Sequence, residues 1–256
     1  MKIARFSHQG SIRFGIVDDG DLVVLDGDPM FAGYEPTGER VPLADAALLA
    51  PVIPRSKVLC VGRNYHDHAA EFGNVAPEEP LLFLKPNTAV VGPGDAIVRP
   101  VALSERVEFE GELVAVIGKV TKNVSVENAL EHVFGYTVGN DVTARDLQRK
   151  DGQWTRGKGF DTFAPLGPLI ETEFDDATAT IETRVNGEVR QHAPLSDMIH
   201  SVADIIAYAS AVFTLLPGDV IMTGTPAGVG PIVAGDTVEV EVSGIGTLRN
   251  PVRDAS

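Results

Sequence analysis

Three glutamates alternate along one short apolar segment, VEFEGELVAVIG, at residues 107–118. Side chains of a β-strand point alternately to its two faces, so Glu108, Glu110 and Glu112 would share one face, which two valines then continue toward the interior. Like charges this close to a core repel one another unless they are protonated or bound to a cation. Because hard divalent cations prefer carboxylate oxygens, the pattern favours a metal site. An acidic strand face in contact with water is the open alternative.

A further carboxylate, Asp141, follows an apolar strand in GYTVGNDVTARDLQ. It can complete a set of oxygen ligands, or it can be an ordinary residue at the start of a helix. Thr143, with Asp146 three residues later, predicts the N-cap of that helix. Acidic oxygen donors with water suit Mg²⁺ or Mn²⁺ rather than zinc, and the sequence has no Cys and His cluster with zinc spacing.

An imidazole and a carboxylate lie three residues apart in GRNYHDHAAEFG. A helical turn over residues 67–72 would place His68 and Glu71 on one face, within hydrogen-bonding reach. A carboxylate behind an imidazole fixes its tautomer and makes it a better base. Gly62 and Gly73 bracket the segment as possible hinges of a lid. An exposed polar turn is the alternative.

Two glycine-rich loops carry further polar groups. QWTRGKGFDTFAP contains Arg156 and Lys158, which can form a cationic clamp for an anionic substrate. TGTPAGVG, at residues 223–230, lacks the ending of a phosphate loop and precedes no helix. A tight turn is favoured there, although its hydroxyls and amides can still hold a carboxylate.

Short strands joined by tight turns must position these groups. Prolines interrupt the chain up to Pro54, where we predict a boundary between a small N-terminal β-rich domain, residues 1–53, and a main domain, residues 54–256. Beyond it a Gly-Asp turn recurs in PGDAIV, PGDVIM and AGDTVEV, and Asn186-Gly187 predicts a two-residue hairpin. Helical patterns occur in SVENALEHV, TARDLQRK and MIHSVADIIAYASAVF. A mixed, mostly β fold with few helices is predicted, and a doubly wound parallel sheet is disfavoured.

Composition excludes several functional classes. The 256 residues contain 21 Lys and Arg against 36 Asp and Glu, a net charge of −15, which disfavours nucleic acid and anionic membranes as partners. The start, MKIARFSHQG, has no apolar signal core, and no apolar run approaches the roughly 18–20 residues that span a bilayer. We therefore expect a soluble, cytoplasmic protein. The single cysteine, Cys60, is expected to be buried and inert.

The motifs, in their order along residues 57–252, resemble the fumarylacetoacetate hydrolase family. They are VLCVGRNYHDHAAE, LFLKP, EFEGELVAVIGK, GYTVGNDVTARDLQ, WTRGKGFD, VNGEVRQ, MIHSVADIIAYAS and VIMTGTPAGVG. Residues 1–53 resemble the small N-terminal β domain that some bacterial members carry.

The resemblance implies a β-sandwich roll, a homodimer and a set of site residues. Glu108 matches a position that is not expected to bind metal. The other matches are Glu110, Glu112 and Asp141 as ligands of Mg²⁺ or Mn²⁺, His68 and Glu71 as a water-activating pair, Lys158 as a catalytic cation, and Arg145, Gln148 and Thr225 as substrate contacts.

The implied substrate is a 2-oxo or 2,4-dioxo carboxylic acid, whose enolate the metal would stabilise. Attack by the activated water on a 4-oxo group would make the enzyme an acylpyruvate or fumarylpyruvate hydrolase. Without that attack, the same enolate would support the 2-hydroxyhepta-2,4-diene-1,7-dioate isomerase or 5-oxopent-3-ene-1,2,5-tricarboxylate decarboxylase reaction of aromatic catabolism. Oxaloacetate decarboxylation is an alternative, and a noncatalytic ligand-binding role is a further one.

Overall fold

Short β-strands make up most of the regular structure in residues 1–71 and 77–256, which are the residues that the computed structural model describes. The strands are β1 Lys2–His8, β2 Ser11–Asp18, β3 Asp21–Leu25, β4 Pro36–Pro42, β5 Ala47–Leu48, β6 Val58–Gly62, β7 Leu81–Lys85, β8 Val90–Val91, β9 Ile97–Arg99, β10 Val107–Phe109, β11 Gly111–Ile117, β12 Val133–Asn140, β13 Thr143–Ala144, β14 Ala164–Glu171, β15 Thr180–Val185, β16 Glu188–Pro194, β17 Val220–Met222, β18 Gly230–Pro231, β19 Thr237–Val242 and β20 Gly246–Asp254. The helices are α1 Pro29–Ala32, α2 His66–Glu71, α3 Val126–Ala129, α4 Arg145–Asp151, α5 Thr155–Lys158 and α6 Val202–Val212. The mostly β fold predicted from the sequence is confirmed.

The strands form three sheets. A twelve-stranded sheet has the order β4-β3-β2-β1-β14-β12-β11-β17-β6-β7, with β5 paired to β1 and β8 paired to β14. A five-stranded sheet has the order β16-β15-β19-β20-β9, and a three-stranded sheet has the order β13-β10-β18. The chain passes from the small sheet to the large one between β10 and β11, which is where the glutamates lie.

The two faces of β11 pack against different apolar clusters. Leu113, Ala115 and Ile117 belong to the larger cluster, which also contains residues of the five-stranded sheet. Val114 and Val116 belong to a second cluster, on the opposite side. The alternation predicted from the sequence is therefore present, and the two large sheets form a sandwich around the larger cluster.

The repeated Gly-Asp turns have one common geometry. In each, the aspartate side chain accepts a hydrogen bond from the amide three residues earlier, at distances of 2.8, 2.9 and 2.8 Å for Asp95, Asp219 and Asp236. The glycine before each aspartate has a positive φ, which suits the third position of a type II turn. The predicted hairpin at Asn186-Gly187 joins β15 to β16, with Val185 paired to Glu188.

The N-terminal strands extend the large sheet. β1 pairs with β14 through Lys2 opposite Glu171 and Ile3 opposite Ile170. Leu169 of β14 packs in the apolar cluster of the N-terminal strands. Residues on both sides of the predicted boundary near Pro54 thus share a sheet, and the boundary itself stays a prediction.

The predicted helix cap at Thr143 is wrong. Thr143 and Ala144 form β13, which pairs with β10, and α4 begins only at Arg145. The Thr143 hydroxyl donates to the Asp141 carbonyl instead, at 2.9 Å. Asp146 accepts hydrogen bonds from the Ser104 hydroxyl at 2.6 Å and from the Glu105 amide at 3.1 Å. Thr143 therefore takes part in strand pairing, although the local sequence predicted it as a helix cap.

Among the described residues, no helix is long and apolar enough to cross a membrane. α6, with 11 residues, is the longest helix in this part of the chain. Cys60 is buried in β6, as predicted, and its burial raises the pKa of the thiol well above its usual value.

Candidate active site

A cavity of about 770 Å³ brings the predicted site residues together. The site residues implied by the family resemblance all line it: His68, Glu71, Glu110, Glu112, Asp141, Arg145, Gln148, Lys158 and Thr225. They come from α2, the β10–β11 segment, the residue after β12, α4, α5 and the loop after β17. Segments far apart in the sequence therefore converge on one concave site.

Main-chain hydrogen bonds fix two of the carboxylates beside each other. Glu110 lies between β10 and β11, and its amide donates to the Asn140 side chain at 2.9 Å. Its carbonyl accepts from the amide of Asp141 at 2.8 Å. The end of β12 thus holds Asp141 against the strand junction that carries Glu110.

Glu110, Glu112 and Asp141 form a buried acidic triad. One carboxylate oxygen from each lies within 4.8 Å of the other two. The Glu112 carboxylate accepts a hydrogen bond from the amide of Gly224 at 2.8 Å. Three carboxylates out of water at this separation require positive charge nearby or protonation.

Buried cations supply part of that charge. Lys158 donates to Glu110 at 2.7 Å and to Asp141 at 2.6 Å. Lys85 pairs with the other Asp141 oxygen and donates to the Val142 carbonyl at 3.0 Å. Arg145 reaches the remaining oxygen of Glu110. Glu112 receives no hydrogen bond from a cation within residues 1–71 and 77–256.

The pKa shifts of the two glutamates reflect their different contacts with the buried cations. Burial and the neighbouring charges of Asp141 and Glu110 raise the pKa of Glu112 well above its usual value. Burial also acts to raise the pKa of Glu110, but Lys158 and Arg145 outweigh it and hold that pKa far below the usual range. Burial acts to lower the pKa of Lys158, and the Asp141 and Glu110 charges raise it above its usual value.

The donor set of the triad fits a hard divalent cation. Three carboxylate oxygens converge without sulfur or imidazole, which is the ligand chemistry of Mg²⁺ and Mn²⁺. Glu112 is a buried carboxyl group that a divalent ion would stabilise in its ionised form. The residues present therefore fit the metal predicted from the sequence.

α2 places an imidazole and a carboxylate at the rim of the cavity. His68 Nδ1 lies 3.4 Å from Glu71 Oε2, a long hydrogen bond between residues three apart on one helix face. Burial is the main cause of a lowered pKa for His68, and this shift favours the neutral imidazole. The predicted hinge Gly73 and the end of the predicted helical turn, Phe72, lie outside the described residues.

α4 contributes a guanidinium that connects several acidic groups. Arg145 donates from Nε to Glu108 at 2.6 Å and from Nη1 to Gln148 at 2.7 Å. Glu108 also pairs with Arg106, on its other oxygen. Glu108 thus lies between two arginines and outside the triad.

A buried glutamine orients the loop after β17. The Gln191 side-chain amide donates to the Thr225 hydroxyl and to the Pro226 carbonyl, both at 2.7 Å, and its oxygen accepts from the Gly111 amide at 3.0 Å. Because the Thr225 oxygen is an acceptor in this contact, its own proton is available for another group. Gln191 therefore joins the strand of the triad to a predicted substrate contact.

The two predicted clamp residues have separate environments. Lys158 is buried at the triad, whereas Arg156 pairs with Asp151 at the surface, at 2.6 Å. Arg156 is not among the described residues that line the cavity. The preceding Trp154 forms a wall over Gly62, where an added β-carbon would lie 2.7 Å from the indole ring.

Lys85 and Gln191 are the functional candidates that local sequence did not identify. Lys85 ends the apolar strand LLFLK, and its isolated charge in that strand is a weak signal. Gln191 follows the hairpin turn in NGEVRQ, where a polar residue is ordinary. Their partners lie 56 and 34 residues away, so only the fold reveals their roles.

Two family models match the chain. The fumarylacetoacetate (FAA) hydrolase C-terminal model matches residues 57–253, and the Rv2993c-like N-terminal model matches residues 1–51. Protein Rv2993c of Mycobacterium tuberculosis is 50% identical, over 98% of this chain and 98% of its own length. Oxaloacetate tautomerase YisK of Bacillus subtilis is 42% identical, over 82% of this chain and 74% of its own.

Solved structures share the whole fold. The 5-carboxymethyl-2-hydroxymuconate delta-isomerase of Mycobacterium smegmatis has a TM-score of 0.92 and 48% identity, with 100% of both chains covered. Maleylpyruvate hydrolase of Sphingobium sp. SYK-6, solved with manganese(II) and pyruvate, has a TM-score of 0.83 and 32% identity, also with 100% of both chains covered. With a family model over most of its length and relatives of this identity, the chain belongs to the fumarylacetoacetate hydrolase family.

Proposed function

We propose that this chain is a divalent-metal-dependent enzyme acting on a 2-oxo or 2,4-dioxo carboxylic acid. The observation that carries the proposal is the buried triad of Glu110, Glu112 and Asp141, which opens into a cavity large enough for such an acid. Family members of known structure include an isomerase and a hydrolase, which supports an enzymatic role.

The triad would hold Mg²⁺ or Mn²⁺. A bound cation supplies a Lewis acid that stabilises negative charge on the oxygens of a 2-oxo acid. The lysines that neutralise the triad, Lys158 and Lys85, would stay beside it and limit the net charge of the site. Lys158 is proposed as the catalytic cation because it contacts both Glu110 and Asp141.

His68 is proposed as the general base. With its Nδ1 proton donated to Glu71, the neutral imidazole has Nε2 free of a proton and able to accept one. The proton would come from a water whose oxygen bonds to the 4-oxo carbon of a dioxo acid. The C3–C4 bond would then break, its electron pair would pass to the 2-oxo acid fragment as an enolate, and C3 would take the proton back from the imidazolium. In an isomerisation the proton would come from the substrate carbon itself.

The substrate carboxylate is proposed to contact Thr225, Arg145 and Gln148. The Thr225 hydroxyl has its proton available because its oxygen already accepts from Gln191. Arg145 and Gln148 line the same cavity and are hydrogen-bonded to each other, which fixes their directions. An anionic substrate end would gain charge-assisted hydrogen bonds there.

The experiment is a turnover assay with Mg²⁺ or Mn²⁺ on acylpyruvates, fumarylpyruvate, 2-hydroxyhepta-2,4-dienedioate, 5-oxopent-3-ene-1,2,5-tricarboxylate and oxaloacetate. We expect metal-dependent turnover of at least one, and a loss of about three orders of magnitude in kcat/KM for Glu110→Ala. Glu105→Ala, at an exposed glutamate that does not line the cavity, is the matched control. Failure of every substrate with either metal would refute the proposal.

Oxaloacetate chemistry is the second candidate function. The B. subtilis relative named as an oxaloacetate tautomerase favours it. Release of CO₂ would identify the decarboxylase predicted from the sequence, and loss of enol absorbance without CO₂ release would identify a tautomerase. Ligand binding with no turnover of any substrate would leave the noncatalytic alternative.

A homodimer is proposed from the family resemblance. Light scattering on the purified chain at micromolar concentration would give twice the monomer mass of 27.2 kDa. A cytoplasmic location likewise remains a proposal.

A further inference from the structure

A second cavity, of about 360 Å³, lies between the N-terminal strands and the larger part of the chain. The N-terminal strands and α1 contribute Arg5, Phe14, Asp28 and Phe31, and the connecting segment contributes Val52 through Arg55. None of the residues lining it lines the active-site cavity. Its volume falls in the range of small-molecule sites, which occur preferentially where structural units meet.

Arg5 places a partly buried positive charge at this cavity. It lies on β1 directly opposite Phe14 of β2, so the two side chains are neighbours on one sheet face. Within the described chain, its guanidinium makes one hydrogen bond, at 3.3 Å to the Ala50 carbonyl. A guanidinium carries five N–H donors, so most of its hydrogen-bonding capacity remains for water or a ligand.

A second guanidinium faces the same cavity. The Arg55 side chain stacks over the Phe31 ring, with its guanidinium carbon 4.2 Å from the ring centroid. Asp28 is the cavity's acidic residue, and one of its oxygens accepts from the Met30 amide at 3.0 Å, at the start of α1. Two arginines and one aspartate leave one positive charge here, in a chain whose net charge is −15.

We propose that this cavity is a second ligand site, for a small monocarboxylate with an aromatic or branched aliphatic body. The guanidinium of Arg5, with that of Arg55, would bind the carboxylate through charge-assisted hydrogen bonds. The apolar body would lie against Phe14, Phe31 and Val52. The inference is independent of the proposed catalytic function, because it uses none of the active-site residues.

The experiment is a fluorine NMR titration of 4-fluorophenylacetate into the full-length protein treated with a chelator. Removing metal eliminates metal-dependent binding at the acidic triad, and the Arg5 and Arg55 variants below assign the remaining signal to the second cavity. We expect saturable binding, and about tenfold or more weaker binding of 4-fluorophenylacetamide, which has the same shape without the charge. Arg5→Gln and Arg55→Gln are each expected to weaken 4-fluorophenylacetate binding by about tenfold.

Arg13→Gln is the matched control, because Arg13 lies on β2, pairs with Glu39 at 2.6 Å and does not line the cavity. It should bind the probe like the wild type. Absence of saturable binding, equal binding of the amide, or equal weakening by the control would overturn the proposal. If Arg5→Gln does not fold, Arg55→Gln, at an exposed arginine, serves as the test. Unchanged affinity of that variant for 4-fluorophenylacetate would also overturn the proposal.

Discussion

At the scale of single residues, Glu112 distinguishes a metal site from a cluster of ion pairs. Its carboxyl group is buried among negative charges, so Glu112→Gln should leave the stability of the metal-free protein unchanged or raised. The same change replaces a charged carboxylate ligand by a neutral amide and should weaken Mn²⁺ binding by roughly 100-fold or more. Calorimetric titration with Mn²⁺ and chemical denaturation of the metal-free protein measure the two effects.

Glu108→Gln is the matched control, at a glutamate four residues earlier in the same run. It weakens ion pairs with Arg145 and Arg106, so stability should fall by about 2–4 kcal/mol while Mn²⁺ affinity changes little. The metal assignment is contradicted if both variants bind Mn²⁺ equally well.

Gln191 provides a second test at this scale. Gln191→Met keeps the length of the side chain but removes its hydrogen bonds to Thr225 and Gly111. We expect KM to rise about tenfold with kcat within about threefold, because the loop hydroxyl loses its direction while the base is untouched. Gln153→Met, at an exposed glutamine, should change neither constant. A fall in kcat at unchanged KM would contradict a positioning role.

Local sequence identified the carboxylates because alternation places Glu110 and Glu112 on one face and the apolar run shows that the face turns inward. The family resemblance, rather than the local pattern, separated Glu108 from the triad. Local sequence did not identify Lys85 or Gln191, since their partners are brought close by strand pairing and sheet packing rather than by spacing.

At the scale of elements, β11 must begin with a glycine, Gly111, which lies between Glu110 and Glu112. A β-carbon at Gly111 would lie 2.2 Å from the Thr183 hydroxyl and 2.9 Å from Val240, both in the five-stranded sheet. Gly111→Ala should therefore force the sheets apart and cost about 2–4 kcal/mol of unfolding free energy. Denaturant unfolding measures the loss.

Thr183→Ala offers the compensating change. Its buried hydroxyl has no hydrogen-bond partner within the described residues, so removing it alone should cost little. The double variant should recover part of the loss, with a coupling energy of about 1 kcal/mol. If the losses of unfolding free energy in the two single variants simply add in the double variant, the contact between the sheets is not the cause of the Gly111→Ala destabilisation.

The turn before β17 should make stability depend on acid pH. Asp219 accepts hydrogen bonds from the amides of Leu216, Ser56 and Lys57, and pairs with the Lys57 ammonium. These donors outweigh burial and hold its pKa below the usual value. A lowered pKa in the folded state stabilises the protein above the unfolded pKa of about 3.9, and this stabilisation is lost as pH falls through the folded pKa.

Asp219→Asn should therefore cost about 2–4 kcal/mol at pH 7, and the difference from the wild type should shrink below about pH 4. Asp236→Asn is the matched control, because its turn has the same geometry and its side chain pairs with no cation among the described residues. Urea denaturation at both pH values is the measurement. If the difference in unfolding free energy between Asp219→Asn and the wild type is the same at both pH values, the lowered pKa assigned to Asp219 is refuted.

Element positions were predictable where turn chemistry is strong, as at Asn186-Gly187 and the three Gly-Asp turns. Prediction failed at Thr143, where a plausible cap sequence forms a strand instead. There Glu108 pairs with Thr143, and the Arg145 amide donates to the Arg106 carbonyl, contacts that no local pattern encodes. Pairing with a strand distant in the sequence therefore determined the structure at Thr143.

At the scale of the molecule, the fold brings acidic groups from an acidic chain into one buried site and balances them with buried lysines. A mostly β architecture could be predicted from short strands and repeated turns, but the continuous sheet that links the N-terminal strands to β14 could not. The second cavity is lined by residues from both sides of the predicted boundary, so the ligand site proposed there depends on both segments together.

The most direct test of the central claim is an anomalous-difference map from crystals grown with Mn²⁺ and pyruvate. The account predicts one strong peak with one oxygen each of Glu110, Glu112 and Asp141 at about 2.0–2.3 Å, and pyruvate beside it. A peak at other residues, or no peak with Lys158 still bridging Glu110 and Asp141, would contradict it.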